Sequence, residues 1–66
     1  MASIHVMTTL NEGLEALDDV QGLVDFARAM CPGNQELQLE MDRQQTEIDA
    51  KRTYIQKIIV SIAKNN

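Results

Sequence analysis

The 66-residue chain has no tryptophan and only one each of tyrosine, phenylalanine, histidine, cysteine and proline. Each scarcity closes a class of protein. A single cysteine, Cys31, excludes an intramolecular disulfide. With His5 as the only other soft ligand, there is no Cys-x-x-Cys or His-x-x-x-His spacing to build a structural zinc site, so no metal and no cofactor are expected. Two aromatic rings give no platform on which bases could stack, and a net charge of −4 opposes non-specific attraction to nucleic acid or anionic lipid. Apolar runs such as Ile58-Ile59-Val60 fall far short of the roughly 18 residues of a membrane span, and no N-terminal stretch combines the basic and apolar regions of a signal peptide. With one thiol, expected to stay reduced, these features predict a cytoplasmic protein with no membrane partner.

The residues that are present point to association. The composition is 44% hydrophobic and 24% charged, too apolar for a disordered chain. A chain this short buries only about 60% of its unfolded surface. Below about 70 to 80 residues, natural domains add disulfides, a metal or a partner to such a core. With the first two excluded, a partner surface remains, and the expectation is a homo-oligomer that also binds another protein.

The pattern along the chain predicts an all-α fold, an antiparallel two-helix hairpin with a longer, coiled-coil-like C-terminal helix. Residues 1–8 form an arm, in which Ile4 and Val6 alternate as a short extended strand would; it either packs irregularly over the helices or pairs with its own copy. Thr9 and Glu12 have the spacing of a capping box, which starts a first helix over 9–31. Leu10, Leu14, Leu17, Val20, Val24 and Ala27 form its stripe, ending at a half-buried, structural Cys31. Leu23, Phe26 and Met30 lie on a neighbouring flank, which gives the helix more apolar surface than one partner covers. Pro32, Gly33 and Asn34 turn the chain over 32–34, Pro32 driving the residue before it out of helical geometry and Asn34 capping the second helix.

That second helix spans 35–64. Met41, Ile48, Ile55 and Ile62 recur every seven residues, with Leu37 and Ile58 between them, as in a coiled-coil seam whose central d positions are Gln44 and Lys51. Length arithmetic sharpens the expectation of association. At 1.5 Å per residue the helices measure about 33 and 45 Å, so the last two turns of the second outlast the first and leave Ile58, Ile59 and Ile62 to be covered from elsewhere. The expected interface is therefore Leu37, Met41, Ile48, Ile55, Ile58, Ile59 and Ile62, with Leu23, Phe26 and Met30. The acid-rich first helix and the segment bearing Lys51, Arg52, Lys57 and Lys64 should meet across the hairpin.

No constellation carries catalysis. His5 has no nucleophile at an interpretable spacing, and the chain lacks a glycine-rich phosphate loop, so no enzyme is expected. Glu12, Glu15, Asp18 and Asp19 lack the alternating loop spacing of a hard-metal site and read as a solvated helix face. Lys57 and Lys64 read as complements to acids rather than phosphate contacts. The order of helix, proline turn and longer amphipathic helix, with Glu36-Leu37-Gln38-Leu39 after the turn and the stretch Ile55 to Ile62, resembles type III secretion needle subunits and their short co-chaperones. The resemblance implies a polymerising structural subunit, although the tyrosine-rich repeat after the turn in that family is absent, Tyr54 being the only tyrosine. A third expectation is an oligomer that binds a small molecule or nucleotide at a pocket between subunits.

Overall fold

A computed structural model describes residues 4–65. Two helices make up the fold, α1 over Ile4–Met30 and α2 over Gln35–Lys64, joined by Cys31-Pro32-Gly33-Asn34 and packed side by side as a hairpin 50 Å long. Among the described residues there is no strand.

The start of α2 has the expected chemistry. Asn34 stands in an extended conformation and its side-chain oxygen accepts the Leu37 amide at 3.0 Å, satisfying one of the donors that a helix start leaves unpaired. The turn is tied down further from α2, where the Gln38 side-chain amide donates to the Cys31 carbonyl at 2.9 Å. Cys31 itself is exposed rather than half-buried, because the row of α1 residues facing α2 ends at Arg28.

The start of α1 differs from the expectation of an arm over 1–8. Residues 4–8 are helical, while residues 1–3 lie outside the described part of the chain. Thr9 is therefore an interior residue rather than a cap, and its hydroxyl donates to the His5 carbonyl one turn back at 2.9 Å. Packing overrides the β-preference of Ile4 and Val6. Cross-hairpin contacts join residues whose numbers sum to 66 to 70, as in Gln21 with Gln45 and Asp18 with Arg52. That register sets Met7 and Leu10, both half-buried, level with Ile58 through Ile62. Twenty-seven residues make α1 about 40 Å long against about 45 Å for the 30 residues of α2, so most of the expected mismatch disappears. Ile58, Ile59 and Ile62 are half-buried within the hairpin instead of overhanging it.

The seam also takes a different line. On α1 the residues turned toward α2 are Met7, Leu10, Leu14, Leu17, Gln21, Val24 and Arg28, spaced three and four apart. On α2 they include Met41, Gln45, Ile48, Arg52, Ile55, Ile59 and Ile62, with Leu37 and Ile58 half-buried on the same side. Gln21 and Arg28 reach across the hairpin beside the expected stripe, in which Val20 is exposed and Ala27 half-buried, and Gln45 and Arg52 do so beside the expected d positions, of which Lys51 is exposed and Gln44 half-buried. Among the described residues only Val24 and Ile48 are buried, at 4% and 3% exposure. Ile55 packs over Gly13, where a Cβ would lie 3.4 Å from the Ile55 Cδ1 atom, at the edge of ordinary contact.

Candidate interaction surface

The middle of the seam is polar and fully paired. Gln21 and Gln45 exchange amide hydrogen bonds across the hairpin, each at 2.6 Å, and the second proton of each amide goes to Asp25 or Asp49 one turn further along its own helix, each at 3.0 Å. Ion pairs flank this layer on both sides, Arg52 to Asp18 at 2.8 Å and Arg28 to Asp42 at 2.7 Å. Residues of the acid-rich first helix and the later basic segment meet in the first of these, at Asp18 and Arg52. Away from the seam, Arg43 donates to Glu40 at 2.7 Å, and this bond with a second from Gln44 holds the Glu40 carboxyl below its ordinary pKa.

Hydrophobic period alone does not reveal the symmetry of this layer. The order Asp, Gln, Asp, Arg occurs at 18, 21, 25 and 28 and again, at the same spacings, at 42, 45, 49 and 52. The offset is 24 residues, and it also carries Val24 onto Ile48, the two buried side chains. The two helices thus meet as near copies related by a pseudo-twofold axis through the glutamine layer. Polar spacing, rather than apolar spacing, is the signal in the sequence that marks it.

The outer faces are unequal. Leu23, Phe26 and Met30 come two residues after Gln21, Val24 and Arg28, which is about 200° around a helix, so they point away from α2. Their exposures are 69%, 64% and 63%. The same outer row continues toward the N-terminus through Asp19 and Glu12. On α2 the row two residues beyond the seam carries Arg43, Glu47, Tyr54, Lys57 and Lys64, a face with more bases than acids, while Leu39 stands 69% exposed near the turn. A shallow depression lined by Thr53, Gln56, Lys57, Val60, Ser61 and Lys64 runs along α2 alone, with no second element to close it.

Of the residues expected at an interface, the structure therefore separates two groups. Leu37, Met41, Ile48, Ile55, Ile58, Ile59 and Ile62 line the side of α2 that packs on its own first helix; Leu23, Phe26 and Met30 are turned outward. No described helix is long and apolar enough to cross a membrane, and among the described residues no three His, Cys, Asp or Glu side chains converge as metal ligands would. Comparison with protein-family models, with curated proteins and with solved structures returns no match.

Proposed function

We propose that this chain is a small non-enzymatic hairpin that self-associates and binds another protein, acting as an adaptor, an inhibitor or a chaperone-like module. The observation that carries the reading is the amount of surface the hairpin leaves uncovered. A compact chain of 7.4 kDa exposes about 4,200 Å². This one exposes 5051 Å², an excess comparable to the roughly 800 Å² that each partner contributes to a standard interface. Leu23, Phe26 and Met30 form the contiguous apolar part of that surface, and aromatic and methionine side chains are the types enriched where proteins meet.

Light scattering over a concentration series tests it with the wild-type chain and Phe26→Glu. The wild type should exceed the mass of one chain and the variant should fall toward it with its helix content intact. A wild-type chain that stays monomeric at high micromolar concentration refutes the reading.

A second reading, a polymerising structural subunit of the needle-like kind, draws on the inequality of the outer faces. An acidic and apolar face on α1 fits a basic face on α2 of another copy, and such a heterologous contact leaves one free face at each end of the assembly. Mass that grows without limit as concentration rises would favour it over a fixed small oligomer.

A further inference from the structure

The repeated polar row has a property that the hairpin alone does not use. Across the hairpin, Asp18 meets Arg52 and Arg28 meets Asp42, while glutamine meets glutamine. Because both helices carry the same four residues at the same spacings, every one of these pairings is preserved when either helix is laid antiparallel on a copy of itself. On α1, Asp18 would meet the second copy's Arg28 twice over, with Gln21 on Gln21 at the centre. On α2, Asp42 would meet Arg52 in the same way around Gln45. A row that is complementary to its own reverse fixes an antiparallel register without fixing which helix supplies the other side.

We propose that the partner recognised by this row is a second copy of the chain, each helix pairing with the same helix of that copy in the register that closes the hairpin. The polar pairing is common to both arrangements, and what the closed hairpin adds is the level of Met7 and Leu10 with Ile58 through Ile62. Among the described residues only two side chains are buried when the chain closes on itself, and the ion pairs and the glutamine layer have the same partners in both arrangements. This inference is independent of association through the outer faces, since it concerns the side of each helix turned toward the other.

Charge exchange within one helix separates the arrangements, because it keeps the net charge constant. In Asp18→Arg/Arg28→Asp, both ion pairs of the hairpin become like-charge contacts, yet α1 remains complementary to its own copy and α2 is untouched. Self-association measured by sedimentation equilibrium should therefore tighten roughly tenfold to a hundredfold, as expected when surface ion pairs of modest strength are lost from one arrangement and kept in the other. Adding Asp42→Arg/Arg52→Asp restores opposite charges across the hairpin, and association should return to the wild-type level. The outer faces are identical in all three proteins, so association through them does not alter the comparison. A one-helix variant that associates no more tightly than wild type, or that unfolds as a monomer, overturns the proposal; so does a four-site variant that fails to return to wild-type behaviour.

Discussion

The glutamine layer offers the sharpest test of how the hairpin is held. Gln21 and Gln45 are each half-buried and exchange two hydrogen bonds at 2.6 Å. Replacing Gln45 alone by leucine removes both bonds and leaves the Gln21 carbonyl oxygen without its partner, although its amide keeps Asp25. A net hydrogen bond contributes about 1 kcal/mol, and a buried group left unpaired costs about 1 to 3 kcal/mol. Partial exposure of the site puts the single variant toward the low end, a loss of about 1 to 2 kcal/mol offset in part by the added apolar area. Replacing both glutamines leaves no orphan and buries two leucines, so the double variant should equal or exceed the wild type. A double-mutant cycle should then give a coupling of about 1 to 3 kcal/mol. Urea unfolding monitored by the helical circular dichroism signal, at one fixed protein concentration so that association contributes equally, measures all four proteins. Coupling within about 0.5 kcal/mol of zero would mean that the two amides do not depend on each other, and the account of the layer would fail.

Two isolated features give further expected outcomes. Gly22 lies inside α1 with nothing within 4 Å of a Cβ built on it, so Gly22→Ala should raise stability by about 1 kcal/mol in thermal unfolding, and a loss would reveal another chain packed closely on that face. Glu40 has its pKa lowered by Arg43 and Gln44, so its contribution to stability is present above the carboxyl's unfolded pKa and is lost as the pH falls through the lower folded value; Arg43→Ala should move the Glu40 titration, monitored by NMR, up toward its ordinary position, and an unchanged titration refutes the assignment.

Much of the hairpin was legible because its signals are local. Pro32 and Gly33 break the helix wherever they stand, Asn34 caps by its own side chain, and the seven-residue recurrence of Met41, Ile48, Ile55 and Ile62 marks one side of α2 whatever it packs against. The first turns of α1 were not legible, because their preference is decided by distant residues. Ile4 and Val6 read as extended by propensity, and helix forms there because Met7 and Leu10 fall level with Ile58 through Ile62. The seam on α1 was ambiguous for a different reason. Val20 and Gln21 both continue a spacing of three and four from Leu17, and hydrophobicity favours valine. The structure selects glutamine because Gln45 stands opposite it, a fact available only once the register is known. Of the candidate surface, Leu23, Phe26 and Met30 were legible as surplus to one stripe. Their direction, on the far side of α1 rather than on its flank, needed the true line of the seam.

The distribution of side chains around α1 departs at two seam positions from what would best stabilise a lone hairpin. Its seam carries Gln21 and Arg28, where apolar residues would gain about 1.5 to 3 kcal/mol each on full burial, while Leu23, Phe26 and Met30 stand on the outside. Nothing in the closure of the hairpin requires the outward residues to be apolar, since they make no part of the contact with α2. The polar residues inside have an effect that leucines could not supply, because Asp18 with Arg52, Gln21 with Gln45 and Arg28 with Asp42 all fit at one register and at no neighbouring one. Specificity is thus concentrated in the seam and apolar surface on the outer face. That division leaves Leu23, Phe26 and Met30 as apolar area that the hairpin itself does not bury, while among the described residues only Val24 and Ile48 are buried.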